Sequence, residues 1–362
     1  MADRVFIVAE AGVNHDGSLD DALTMVDVAA DAGADAVKFQ TFRADALVTQ
    51  RAAKAAYQVV NTGHDGGQAD MLRRLELSEE AHHRLADRCR ERGVAFMSTA
   101  FDMEGLALLD RLGVPAIKIP SGDLTWGPML LAAARTGRPL FVSTGMAELG
   151  EVRQALGVIA FGLTRRGAPS GLAECETAFA TAEGRAAVAE RVTVLQCTTQ
   201  YPAPAAAANL RAMTTMAAEF GVPVGYSDHT LGIAVATAAV ALGARVIEKH
   251  FTLSRNRPGP DHAASLEPGE LAALVEAIRE VEAALGDGIK APSAAELPNR
   301  PIARRSLVAS APVDAGETWS ERMVTAKRPA DGLSPMWWWD MAGGAARRAY
   351  AVDDALDAEE IP

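Results

Sequence analysis

Short runs of β-branched and apolar residues alternate along the chain with longer segments in which apolar positions recur every three or four residues. The runs fall at 5–9, 35–40, 94–98, 116–119, 140–144, 192–197, 223–227 and 245–251. Runs so short and so continuous suit strands buried on both faces of a parallel sheet. Between them, 18–33 carries Ser18 and Asp21 in capping-box positions and Gly33 as a stop. Segment 266–286 places Leu271, Leu274, Val275, Ile278, Val281 and Leu285 on one helical face. Eight β/α repeats predict a (β/α)₈ TIM barrel. An open doubly wound sheet is the alternative, but no Gly-rich dinucleotide fingerprint follows any strand.

Two connections are long. Residues 41–78 follow the second strand at the edge where such barrels bind ligands, and suit a lid. Residues 161–191 form an Ala/Glu/Arg-rich insertion before the sixth strand and are expected at the other edge. The barrel is expected over 1–288, a Pro- and Gly-containing linker over 289–301, and a small β-rich domain over 302–362. That last piece carries strand-like SLVAS, VTAKRP and RRAYAV. It is too small to hold much core alone.

Composition sharpens this picture by exclusion. Apolar residues make up 49% of 362, and the formal net charge is −12, which argues against nucleic acid and anionic membranes as partners. No stretch approaches the roughly 20 apolar residues of a membrane span. The opening MADRVFIVAE meets Glu10 too soon for a signal peptide. Three cysteines, Cys89, Cys175 and Cys197, have no CxxC spacing. Together these features suggest a reducing cytoplasm.

The chemistry sits at the carboxyl ends of the strands. Lys38 and Lys118 interrupt otherwise apolar strands. Either alone could be a structural ion pair; both at matching depth favour an anion site, completed by Ser and Thr hydroxyls. GYSDHT and IEKHFT end two neighbouring strands in His229 and His250, flanked by Asp228 and Glu248. Each histidine could be a hydrogen-bonded structural residue. As a pair without thiolates they suit an open divalent ion, Mn²⁺, Co²⁺ or Mg²⁺, more than a closed zinc site. His15, His64, His82, His83 and His262 have weaker contexts, and His82 and His83 fall in a solvated helical pattern. The Trp337–Trp339 run is read as interface or core rather than a sugar platform. Asp261 serves equally as a turn residue or a hydroxyl acceptor.

The segments VAEAGVNHDGS (8–18), VKFQTF (37–42), MLRRLELS (71–78), KIPSGD (118–123), STGM (143–146), QCTTQYPAP (196–204), GYSDHTLGI (225–233), IEKHFTL (247–253) and GPDHAASLEP (259–268) occur in this order. Together they resemble the sialic acid synthase family. The tail KRPADGLSPMWW (327–338) resembles that family's C-terminal antifreeze-like (SAF) domain. The resemblance implies a metal-dependent barrel enzyme, a transferase that condenses phosphoenolpyruvate with an open-chain N-acetylated aminosugar and releases phosphate.

Residue by residue, the resemblance implies that His229 and His250 bind the metal, usually Mn²⁺ or Mg²⁺. It places Lys38, Lys118, Ser121, Ser143 and Ser227 around phosphoenolpyruvate with Thr99 nearby, and Glu10 and Asp123 at the reacting centre. Gln40, Asn61, Tyr201 and Asp261 match positions around the sugar. Arg328 matches an arginine that reaches the neighbouring subunit's site in a domain-swapped homodimer. Asp123 stands where many members carry Glu, and the 161–191 insertion and Ala263 are atypical of some members. The expected acceptor is N-acetylmannosamine, giving N-acetylneuraminate. The alternative is a 2,4-diacetamido-2,4,6-trideoxyhexose leading to legionaminic or pseudaminic acid. Two other classes stay open: a different barrel lyase or aldolase with the same lysines and histidines, and a carbohydrate- or ice-binding protein suggested only by the tail.

Overall fold

A computed structural model describes residues 4–62 and 67–361 and divides the chain into two compact units, Met1–Gly286 and Asp287–Pro362. In the first unit eight parallel strands close into a barrel in sequence order. They are β1 (Phe6–Gly12), β2 (Ala36–Thr41), β3 (Ala95–Ala100), β4 (Ile117–Ile119), β5 (Leu140–Ser143), β6 (Val192–Cys197), β7 (Val224–Asp228) and β8 (Val246–His250). Closure is made by β1 on β8, with Phe6 opposite Val246 and Glu10 opposite His250.

The helices follow from local chemistry. Leu19–Asp31 begins where the Ser18 hydroxyl accepts the Asp21 amide, and it buries Ala22, Met25, Val26 and Ala29 against the strands. Pro268–Leu285 buries Leu271, Leu274, Val275 and Ile278. Val281 is only partly covered, and Leu285, expected on the same face, is exposed at the helix end. The 161–191 insertion is not a polar loop. It forms helices Leu172–Ala180 and Ala182–Arg191, which bury Cys175, Ala178, Phe179 and Val188. Gly157 of helix Leu149–Thr164 permits the approach, since a Cβ there would lie 3.2 Å from the Cys175 carbonyl. The pair leads into the start of β6, away from the strand ends that carry the site. All three cysteines are buried and free. No described helix is long and apolar enough to cross a membrane.

Period-2 alternation sets the barrel interior. Val8, Ala36, Met97, Ala116, Phe141, Leu195 and Val246, one each from seven strands, form an apolar cluster of their own. Gly225 of β7 has no room for a side chain, because a Cβ would lie 2.4 Å from the Val246 carbonyl oxygen. Two residues further along each strand the side chains point the same way, and there the interior turns polar.

The second unit has its own small core, with Trp319, Tyr350, Met341 and Leu356 buried. Strands β9 (Ser306–Ala309) and β10 (Val324–Lys327) pair antiparallel. The expected third strand around 347–352 supplies only an isolated bridge, Tyr350 to Val313. Glu360 is buried at the centre, where it accepts from Trp319 Nε1 (2.8 Å) and the Tyr350 hydroxyl (2.6 Å). Of the three consecutive tryptophans, Trp338 packs on this core, whereas Trp337 and Trp339 are exposed.

Candidate active site

The residues two positions beyond the apolar layer are Glu10, Lys38, Thr99, Lys118, Ser143, Cys197, Ser227 and Glu248, one per strand. All eight line a cavity of about 320 Å³ at the strand ends, within the range of small-molecule sites. This row is an ionic and hydroxyl network. Lys38 Nζ lies 2.6 Å from Glu10 Oε2 and 3.7 Å from Glu248 Oε2, and Lys118 Nζ lies 3.3 Å from Glu248 Oε1. Lys38 also donates to Thr99 Oγ1 (2.7 Å), Lys118 to Ser143 Oγ (2.8 Å) and Ser227 to Glu248 Oε1 (2.9 Å). The lysines are therefore ion-paired, and they also face a cavity.

Two carboxylates against two ammoniums keep the row near neutrality. Leaving either charge unpaired at this depth would cost several kcal/mol (about 3–5). The two acids are nevertheless unlike. Burial pushes the Glu10 carboxyl up, only partly opposed by Lys38. Burial also works against charge on Glu248, but Lys118 and Lys38 outweigh it and hold that carboxyl down. Glu248 Oε2, 3.7 Å from Lys38 Nζ, has no hydrogen-bond partner among the described residues. Glu248 did not stand out among the strand-end residues, yet it touches both lysines. The signal was its spacing, since Glu248 and His250 share one face of β8 while Lys249 faces the other way.

The histidines come next. His229 Nδ1 lies 2.6 Å from the Thr198 carbonyl, which can only accept, so Nδ1 carries the proton and Nε2 keeps a lone pair. The ring centroids of His229 and His250 are 5.5 Å apart, and His250 Nδ1 is buried without a partner. Burial lowers His229 to about 4 and holds His250 well below its ordinary value, so both imidazoles are neutral and can offer a lone pair to a cation. Among the described residues no three of His, Cys, Asp and Glu converge as metal ligands. A metal here would take two nitrogens from the protein and the rest of its shell from water or substrate. The donor set fits that open arrangement. Asp228, which flanks His229 in sequence, is turned away and paired with Lys249 at 2.7 Å.

Tyr201 lays its ring 4.1 Å from that of His229, and Tyr57 stacks 5.2 Å beyond it. Tyr57 belongs to the long 41–78 connection, which is not a loop but three short helices, Ala44–Leu47, Ala56–Thr62 and Gln68–Arg73. It walls one side of the cavity. Gln40, Ser121, Tyr201 and Asp261 line the cavity as expected. Ser121 Oγ accepts from the Gly145 amide (2.9 Å) and lies 3.0 Å from Cys197 Sγ. Gly12, at the bulge that ends β1, has φ +55°, and a Cβ there would lie 3.3 Å from both Glu10 Oε1 and His250 Cε1.

Two expected site residues of the barrel do not line the cavity. Asp123 sits in the single turn Ser121–Asp123, does not line the cavity, and has one buried, unpartnered oxygen. Desolvation raises its carboxyl to about 6. Asn61 spends its amide on the Pro260 carbonyl at 2.7 Å, tying helix Ala56–Thr62 to the loop after β8. Arg328 lies in the second unit, exposed. His82, expected to be solvated, is buried and joins Thr41 Oγ1 (2.7 Å) to the Ser78 carbonyl (2.8 Å). His64 lies outside the described residues.

Residues 25–290 match the NeuB family. The chain is 44% identical over 353 residues to the N,N'-diacetyllegionaminic acid synthase of Campylobacter jejuni, covering 98% of this chain and 99% of that one. It is 33% identical over 360 residues to the N-acetylneuraminate-9-phosphate synthase of Mus musculus, covering 98% and 92%. Among solved structures, the N-acetylneuraminic acid synthetase of Leptospira borgpetersenii, crystallised with citrate, superposes with a TM-score of 0.66 at 32% identity. That superposition covers 82% of this chain and 90% of that one.

Proposed function

The chain belongs to the NeuB family and is a nonulosonic acid synthase, and we propose that within this class its acceptor is a 2,4-diacetamido-2,4,6-trideoxyhexose. This reverses the order of the two acceptors expected from sequence. The relatives at 44% identity are diacetyllegionaminic acid synthases. That similarity carries the reading, and the charge of the cavity supports only that the sugar is not phosphorylated. Lys38 and Lys118 are the only Lys or Arg among its described lining residues, and both lie in the floor. That suits one anionic substrate, phosphoenolpyruvate, beside an uncharged sugar. A phosphate at the sugar's far end would face no Lys or Arg among these lining residues.

In this proposal Lys38 and Lys118 hold the phosphate and carboxylate of phosphoenolpyruvate, and Thr99, Ser121, Ser143 and Ser227 supply hydroxyls around them. A divalent metal on His229 and His250, Mn²⁺ first and Mg²⁺ or Co²⁺ as alternatives, would supply Lewis acidity for the sugar aldehyde. The enol carbon bonds to the aldehyde carbon, water adds at the resulting cationic carbon, and phosphate leaves. Glu10, desolvated beside that centre, orients the water. Asp123 is assigned the same task by resemblance but stands outside the cavity, so it serves through the turn that positions Ser121. Tyr201, Gln40 and Asp261 border the sugar, while Asn61 holds the mouth closed by its bond to Pro260.

The second unit, read as a SAF domain, is proposed to deliver Arg328 to the site of a partner subunit in a domain-swapped dimer. The test is phosphate release by purified protein with Mn²⁺, phosphoenolpyruvate and each acceptor in turn. Preference for the diacetamido sugar is expected; preference for N-acetylmannosamine would overturn the acceptor reading.

A further inference from the structure

One wall of the cavity has a chemistry that the ionic floor does not use. Gln68, Met71, Leu72 and Leu75 are spaced i, i+3, i+4, i+7, so they share one stripe of helix Gln68–Arg73 and the turn after it. All four line the cavity. Met71, Leu72 and Leu75 are anchored from behind in a cluster with Val13 and Phe42, so their position is fixed by packing. Gln68 is half-buried beside them, and its side-chain amide has no partner among the described residues.

An apolar wall with the Gln68 amide at its edge complements a group that is itself an amide ending in a methyl. The two candidate acceptors differ in such groups. The diacetamido sugar carries a second acetamido group and a methyl where N-acetylmannosamine carries a hydroxyl and a hydroxymethyl. A hydroxyl pressed against Met71 and Leu72 would give up water without a partner. An acetamido methyl gains contact, while its carbonyl can accept from Gln68.

We infer that the Gln68–Met71–Leu72 stripe is the subsite for the acceptor's second acetamido group, with Gln68 donating to its carbonyl and the two apolar side chains enclosing its methyl. The inference rests on the acceptor reading above. It adds that selectivity lies in the segment after β2 and not in the barrel floor.

The experiment compares kcat and KM for the two acceptors with the full chain, Gln68→Leu and Leu72→Asn, at saturating Mn²⁺ and phosphoenolpyruvate. The wild type is expected to favour the diacetamido sugar by about 10- to 200-fold, the span of discrimination for small apolar groups. Each variant should shrink that ratio about tenfold, through KM for the diacetamido sugar. Equal losses on both acceptors, or an unchanged ratio in a folded variant, would overturn the subsite. Leu72 packs in a cluster and its variant can lose fold; Gln68→Leu, at a half-buried position, keeps the inference open to refutation. Wild-type preference for N-acetylmannosamine removes the subsite and the acceptor reading together. Absence of phosphate release with either sugar is a different failure, because it removes the synthase assignment and the subsite with it.

Discussion

Lys249 Nζ lies 2.7 Å from Asp228 Oδ2, with both side chains fully excluded from solvent, on the outward side of the two strands whose ends carry His229 and His250. Lys249 also reaches the Thr230 carbonyl, and the Thr230 amide donates to Asp228 Oδ1. The pair therefore ties the residue after His229 to the residue before His250.

Breaking that pair from one side should be costly in stability and felt at the metal site. Lys249→Met leaves Asp228 buried without its cation, and such losses run at about 3–5 kcal/mol. Urea denaturation would measure this, and the double variant Asp228→Leu with Lys249→Met should recover most of it. Calorimetric titration of Mn²⁺ should show weaker binding in the single variant. Unchanged stability in Lys249→Met would mean the pair holds nothing together.

Removing the metal should abolish turnover and leave the barrel folded. Protein stripped with EDTA is expected to release no phosphate and to recover on adding Mn²⁺, whereas His229→Ala should not recover. The circular dichroism of both should match the wild type. Full activity of the stripped protein would end the metal role.

Asp261 should make stability fall as pH rises. Its buried carboxyl is raised to about 6, chiefly by desolvation, against about 3.9 in an unfolded chain. The folded state thus holds a proton the unfolded state releases. Stability is greatest below about pH 4 for this group and declines through pH 6, by up to about 3 kcal/mol from a shift of about two units. Asp261→Asn should be more stable than wild type at pH 8 and gain little at pH 4, as read from urea midpoints. A gain independent of pH would show that the carboxyl is not desolvated.

If the proposed swapped dimer forms, Arg328→Ala is expected to raise KM for the aminosugar several-fold while leaving the sedimentation behaviour of the protein unchanged. Arg328 is exposed and has no ion-pair partner among the described residues, so its loss should not unfold the second unit. Unchanged kinetics would remove the inter-subunit role.

The strands were legible because a closed parallel barrel buries both faces of each strand, and apolar runs such as VTVLQC match β6 end to end. Lys38 and Lys118 were legible as breaks in those runs. Glu248 was legible as a flank of His250, but its place on the lysines' face only through alternation. The helices after β2 were hidden, because they are short and depend on tertiary partners: the Ala44 amide is held by Glu76 Oε1 at 2.6 Å. His82 looked solvated since helical periodicity marks a face without saying what covers it; here Thr41 of β2 does. Asn61 is placed at the sugar by resemblance; in the structure its amide donates to the Pro260 carbonyl.

The chemical row and the apolar layer beneath it are separated by two residues on every strand. A slip of one residue in any strand would turn its reactive side chain out of the barrel, and a slip of two in β1, β2, β4 or β8 would put a charge where an apolar side chain packs. Reaction chemistry is in this sense register-locked, and it can drift only by losing the fold. The helices after β2 carry no such constraint. If the acceptor subsite lies there as inferred, new acceptors can be reached by rewriting that segment while the condensation itself is inherited unchanged.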